Sequence, residues 1–152
     1  MQLPDGRELA WIELGMPDGP PVVVLHGTPG SRYQVAPRAE AIVTAGVRFI
    51  APDRPGYGHS TYHPKRRLAD AATDMAHLAD HLGLERFSVV GYSGGGPYAA
   101  ACARFLEDRI SSTGLVSSVG FLAKRGSEAG MMGLNRVVTR LARVSQAAVL
   151  PA

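Results

Sequence analysis

The sequence predicts an α/β protein, a three-layer sandwich built on a mostly parallel sheet. Three observations carry that reading. Short continuous apolar runs at Val22–Leu25, Val47–Ala51 and Phe87–Val90 have the character of strands buried on both faces. Segments with helical periodicity alternate with them, most clearly over Arg66–Leu82. A glycine-rich run, Gly91-Tyr92-Ser93-Gly94-Gly95-Gly96, follows the third apolar run at once.

The elements follow in order. Pro4-Asp5-Gly6 reads as a turn, and the loose alternation from Arg7 to Leu14, with Leu9 and Trp11 set against Ala10 and Ile12, as a strand. Gly15 to Pro21 is a loop, Val22–Leu25 a buried strand, and Tyr33–Ala45 a helix ended by Gly46. Val47–Ala51 is the next strand, stopped by Pro52, and Asp53 to Pro64 is a long turn-rich loop. In Arg66–Leu82, Leu68, Ala71, Ala72, Met75, Leu78, Ala79 and Leu82 recur at helical spacing, and Gly83 closes the helix. Phe87–Val90 is a strand, Pro97–Leu106 a helix of small residues, and Ile110–Val119 a further strand. Over Ser127–Leu150, Met131, Leu134, Val137, Val138, Leu141 and Val144 line one helical face, with Arg136, Arg140 and Arg143 largely on the other. Without aromatic anchors, this reads as a helix packed on its own domain with a solvated arginine face, rather than as a membrane-surface helix.

Composition narrows the function. A chain of 152 residues has the length of one domain, able to bury roughly 70% of the surface its unfolded form exposes. With 45% apolar and 19% charged residues it is not a disordered chain, and its 18 glycines and 11 prolines have no collagen period. A lone Cys102 excludes a disulfide framework and a cysteine-built zinc site. Asp5 and Glu8 stand where a signal peptide would be apolar, and no apolar run approaches the ~20 residues of a membrane span, so the expected setting is the cytoplasm. The net charge of +3 arises in the last third: residues 1–100 hold 9 basic and 10 acidic side chains, residues 101–152 hold 7 and 3. No basic cluster is interleaved with aromatics, so neither nucleic acid nor a membrane is an expected partner.

The chemistry lies in Gly91-Tyr92-Ser93-Gly94-Gly95, a G-x-S-x-G pattern between a buried strand and a helix. So tight a turn strains the serine backbone and thrusts the hydroxyl out at the top of the sheet. Side chains two residues before and after would collide, which places glycine at 91 and 95. The Gly94 N–H faces the oxygen on which charge develops, and the following helix aims its positive end at the same place. Acyl transfer needs a second N–H donor. The segment His26-Gly27-Thr28-Pro29-Gly30-Ser31 offers it; Pro29 has none, so Thr28 is the natural donor. Asp53-Arg54-Pro55-Gly56-Tyr57-Gly58-His59-Ser60 reads as a compact structural loop. Tyr92 and Gly27 are candidate binding residues, although Tyr92 reads equally well as packing, and Cys102 as packing on the sheet.

These three motifs, in this order and spacing, resemble the α/β-hydrolase superfamily over residues 3 to 120, closest to its serine-nucleophile members with a mobile cap. The resemblance implies Ser93 as nucleophile, an oxyanion hole from Thr28 and Gly94, a small-molecule acyl substrate, and no metal or organic cofactor. It implies the sheet order 2-4-3-5-6 for the strands present, with the core over 1–120 and a cap-like segment beginning over 121–152. Serine rather than aspartate at position 93 speaks against epoxide hydrolase and haloalkane dehalogenase chemistry.

The sequence departs from the family in the remaining triad. The order is Ser, acid, His along the chain, yet only Glu107, Asp108 and Glu128 follow Ser93 as carboxylates and no histidine follows His81. The fold is accordingly expected to stop before the family's last strands, and the chain to have little ester turnover of its own. His26 belongs to the oxyanion loop, where the family's histidine is structural. His59 lies in a loop that can approach the pocket, and His63 stands beside Pro64. His77 and His81 have the spacing of a helical metal pair but lack the Glu of H-E-x-x-H. Two other functions compete. One is a non-catalytic, shortened homologue that binds a small apolar ligand or a partner, or that does not fold stably, its exposed sheet edge inviting self-association. The other is a dinucleotide-binding domain, disfavoured because no acid stands at the end of the following strand, within Ser111–Ser118.

Overall fold

A computed structural model describes residues 1–120 and 133 of the chain. Its strands are β1 (Trp11–Gly15), β2 (Pro21–Leu25), β3 (Arg48–Pro52), β4 (Phe87–Tyr92) and β5 (Ile110–Val116). Its helices are α1 (Ala39–Thr44), α2 (Leu68–His81) and α3 (Gly96–Phe105). The strands form one sheet in the order β1-β3-β2-β4-β5, which is the order 2-4-3-5-6 implied by the resemblance once β1 is numbered as the family's second strand. β1 runs antiparallel to β3, whereas β3, β2, β4 and β5 are mutually parallel.

This order fixes where a ligand can sit. β2 and β4 are neighbours in register from Val22↔Ser88 to Leu25↔Gly91. The chain leaves β2 toward β3 on one side and leaves β4 toward β5 on the other. Their C-terminal ends therefore flank a topological switch point, the crevice in which open parallel sheets bind ligands.

The apolar runs form the core as their character predicts. Val23, Leu25, Ile50, Phe87 and Val89 are buried in the sheet, and α2 lays Ala72, Met75, Leu78 and Ala79 against it. Leu68, counted with that face in the sequence, occupies the first turn of α2 and is exposed. Asp74 is the polar exception on the buried side of α2. Its carboxylate accepts two bonds from Arg7, Nη1 to Oδ2 at 3.0 Å and Nη2 to Oδ1 at 2.6 Å, while Arg7 Nε donates to Asp5 at 2.7 Å. The loop-like N-terminus is thereby fastened to α2 across the core.

Most element boundaries shift by one or two residues from the sequence expectation, β4 for instance running on to Tyr92, and four differences have a local cause. The helix expected over Tyr33–Ala45 is a 3₁₀ segment, Arg32–Arg38, followed by the short α1. Pro37 explains the division, because it lacks an N–H and disfavours an α conformation at Ala36. The first strand begins at Trp11 rather than Arg7; before it, Glu8 makes a single bridge with Gln2 and Leu9 N–H bonds Met1. α2 begins at Leu68, where the Asp70 carboxylate accepts from the Arg67 N–H at 2.6 Å. The last strand ends at Val116 because Ser117 turns to φ +46°. Leu115 and Val116 on that edge strand are exposed. Among the described residues, no helix is long and apolar enough to cross a membrane. The amphipathic helix expected over Ser127–Leu150 lies outside the described residues.

Arg7→Ala leaves the Asp74 side chain, 3% exposed, without its counter-charge. The expected loss is about 3–5 kcal/mol, read as a shifted midpoint in urea unfolding. A loss below about 1 kcal/mol would show that the pair behaves like an exposed one.

Candidate active site

Ser93 lies at the switch point, on the turn between β4 and α3. Its φ of +49° is in the left-handed region, which costs a non-glycine residue about 1–3 kcal/mol. The strain persists because the glycines around it let the turn close on itself and touch three other parts of the fold. A Cβ on Gly91 would lie 2.6 Å from Gly95 O and from Gly96 Cα, so this glycine serves the turn itself. A Cβ on Gly95 would press on the end of β2, 2.7 Å from Leu25 C and 2.8 Å from His26 O. On Gly96 it would strike Ser118, and on Gly94 it would lie 3.1 Å from Thr28 Cβ and 3.2 Å from Thr28 N. The Ser93 carbonyl accepts from the Val119 N–H at 3.1 Å, tying the turn to the chain beyond β5.

The close approach of Gly94 to Thr28 brings the two loops into contact. Gly27 N–H is already committed to Gln34 Oε1 at 2.8 Å, and Pro29, joined to Thr28 by a cis peptide bond, has no N–H. Thr28 N–H and Gly94 N–H have no acceptor among the described residues. Gly27 also packs against the site: a Cβ there would meet Tyr92 Cδ1 at 3.2 Å and Ser93 Cβ at 3.3 Å. The five residues singled out in the sequence, Gly27, Thr28, Tyr92, Ser93 and Gly94, are thus brought together, with Tyr92 half-exposed beside the serine.

The Asp53–Ser60 loop supports this arrangement through two adjacent residues. Asp53 is fully buried and accepts from Arg32 N at 2.7 Å, from His59 N at 3.0 Å and from the Arg32 guanidinium. Burial alone would raise its pKa. The two backbone N–H groups and the guanidinium outweigh that and hold it below the ordinary carboxylate value. Gly58, at φ +51°, lies so close to the carboxylate that a side chain would strike it. Arg54 is 5% exposed, and its fork spans the Gly27–Thr28 loop and the turn at Gly94. Nη2 donates to Gly27 O at 2.8 Å and Thr28 Oγ1 at 2.6 Å, and Nη1 to Gly94 O at 3.4 Å. Arg54 and Gln34 were not foreseen in the sequence. Arg54 carried a weak signal, a cation beside an aspartate at a strand end. Gln34 carried none, lying in a segment read as plain helix.

The histidines occupy other roles. His26 Nε2 accepts from Arg54 N–H at 3.0 Å and its Nδ1 lies 2.8 Å from Gly27 O. Nδ1 therefore carries the proton, an assignment made from the bonding pattern. Burial, aided by the nearby Arg54 charge, pushes its pKa down. With both ring nitrogens occupied, His26 is a buried neutral brace. His59 is exposed, with only its backbone N–H bonded to Asp53. His81 sets its ring edge against Trp11 at 5.4 Å, and the nearby Asp74 is taken by Arg7. Cys102 is buried in α3, and burial pushes its thiol up to about 12, leaving it unreactive.

Comparison with known proteins agrees with the fold and the motifs. The family model for the alpha/beta hydrolase fold matches residues 20–144. An uncharacterised hydrolase, YcgS of Bacillus subtilis, is 32% identical over 115 residues, covering 76% of this chain and 39% of that protein. Epoxide hydrolase B of Mycobacterium tuberculosis is 36% identical over 96 residues, covering 61% and 27%. The structure of a thermophilic esterase from Thermogutta terrifontis superposes with a TM-score of 0.68 at 34% identity, covering 76% of this chain and 43% of that one. The chain belongs to the α/β-hydrolase family and spans less than half the length of these relatives.

Asp53→Asn removes the charge that Arg32 faces, and is expected to cost about 3–5 kcal/mol at neutral pH. Because the folded-state pKa is depressed, this contribution is complete above the unfolded value of about 3.9 and is lost as pH falls through the folded value. Denaturant unfolding across a pH series should show the two proteins converging below about pH 4. A gap independent of pH would contradict the assignment.

Proposed function

We propose that this α/β-hydrolase chain carries the nucleophile and oxyanion hole of a serine hydrolase acting on carboxylic ester or amide-type acyl bonds of small molecules. The observation that carries the reading is the left-handed Ser93 on the β4–α3 turn, set beside the two uncommitted N–H groups of Thr28 and Gly94. In this reading Ser93 Oγ attacks the acyl carbon and its hydroxyl proton passes to a base. The carbonyl oxygen becomes an anion held by the two N–H groups, worth about 10²–10³ in rate for each donor. The leaving group departs with a proton, and water then releases the acyl group from Ser93.

The relatives include an epoxide hydrolase as well as an esterase. A hydroxyl nucleophile at position 93 favours acyl transfer, since the resemblance associates epoxide opening with aspartate there. The base is the part that the described residues do not supply. His26 is occupied at both nitrogens, and among the described residues no histidine is hydrogen-bonded to Ser93. In the family's order the base is a histidine that follows the serine, paired with an acid, whereas in this sequence no histidine follows His81.

A fluorophosphonate probe tests the assignment, forming a bond from Ser93 Oγ to phosphorus as fluoride leaves and the hydroxyl proton goes to solvent. Intact-mass analysis should show a single adduct that forms slowly, forms faster with added imidazole as an external base, and is absent in Ser93→Ala. An adduct that persists in Ser93→Ala, or none even with imidazole, would sink the reading.

A further inference from the structure

Arg54 is a buried cation without an anion. Among the described residues no carboxylate pairs with it, although Asp53 is its neighbour in sequence, because Asp53 is turned to Arg32. The charge is met only by dipoles and aromatic faces: Gly27 O, Thr28 Oγ1 and Gly94 O on its fork, with the Tyr57 and Tyr98 rings each 4.8 Å from the guanidinium carbon. Among the described residues its Nε has no partner. Burying an ion in this way is costly, and an apolar side chain would fill the space between two tyrosine rings more cheaply.

The position of the acceptors explains the cost. Two lie on the loop carrying Thr28 and the third on the turn carrying Gly94. The backbone N–H of Arg54 also bonds His26, at the root of the same loop. One residue thus spans both halves of the pair of N–H groups on which oxyanion stabilisation rests. Only a planar guanidinium, with five donors in a fixed fork, can reach these acceptors at once; an ammonium presents a single point of donation. An unpaired cation directly behind the two donors also adds a positive field where negative charge develops.

We propose that Arg54 is the positioning residue of the oxyanion hole, clamping Thr28 to Gly94 and supplying an uncompensated positive charge behind them. The proposal rests on the reading of Ser93 as nucleophile for its catalytic consequence, but not for the clamp itself.

The whole chain tests it, in wild type, Arg54→Lys, Arg54→Met and Thr28→Val, the last removing one acceptor while keeping the backbone N–H. Rates of Ser93 modification by the fluorophosphonate, with imidazole present and below the melting range of each variant, should fall about 10²-fold in Arg54→Met. Arg54→Lys should recover little, and Thr28→Val should lie between. In ¹H–¹⁵N spectra the Thr28 and Gly94 amide signals should shift or broaden in Arg54→Met while those of Val23 and Val89 stay in place. Unchanged Thr28 and Gly94 amides overturn the clamp whether or not Ser93 reacts. Full recovery of the rate by lysine overturns the need for a fork. Failure of wild type to be modified removes the nucleophile reading alone, and the amide signals still judge the clamp. Should Arg54→Met fold poorly, Thr28→Val and Arg54→Lys carry both measurements.

Discussion

The structure depends most on how closely backbone can approach backbone around Ser93. From Gly91 to Gly96 four of six residues lack a side chain, and each missing Cβ is missing against something different: the turn itself, the Thr28 loop, the end of β2, and Ser118 beyond β5. This is a packing constraint before it is a catalytic one. It draws the C-terminal ends of β2 and β4 together and brings the Thr28 loop onto the start of α3. The left-handed Ser93 is stable for the same reason. A strain of about 1–3 kcal/mol is sustained because relaxing it would separate the turn from several partners at once.

Around that point two adjacent charges are buried by opposite means. Asp53 is satisfied entirely by structure, with two backbone N–H groups and the Arg32 guanidinium filling its acceptors and Gly58 closing over it. Arg54 is satisfied by the site, its donors spent on the loops that carry the proposed oxyanion hole. The division is geometric, since successive residues past a strand end point in different directions. One holds the loop in shape while the other aims inward. His26, neutral and bonded at both nitrogens, joins the two parts through Arg54 N–H.

Much of this was legible in the sequence. Continuous apolar runs marked β2, β3 and β4, because strands covered on both faces have no polar side to interrupt them. The G-x-S-x-G pattern marked the turn, and the missing N–H of Pro29 singled out Thr28. The structure adds an independent reason for that choice, since Gln34 occupies the N–H of Gly27. The two flanking glycines were assigned one cause and have two: Gly91 serves the turn, whereas Gly95 serves β2. Gln34 and Arg54 were not legible as site residues. Their roles consist of contacts to segments 7 to 40 positions away, which the neighbours of Gln34 do not announce and the aspartate beside Arg54 announces only weakly. The helix expected from Tyr33 divides after Arg38, with Pro37 inside its 3₁₀ part, where a local backbone rule outweighs periodicity.

The serine and its surroundings raise a separable question of form and reactivity. Every contact described as holding Ser93, Thr28 and Gly94 in place arises within Met1–Val119, which forms one compact unit. None of them requires the base to which the hydroxyl proton would go. The proposed oxyanion hole is therefore preorganised by the same packing that stabilises the sheet, so its geometry need not be assembled by substrate. Proton transfer is different, because it depends on a single group at hydrogen-bond distance from Ser93 Oγ. In a well-studied serine protease, loss of the triad leaves a rate only about 10³–10⁴ above water, supplied by binding and the oxyanion hole. On the proposed function, that remainder is what Met1–Val119 is built to provide, and the larger factor belongs to the base.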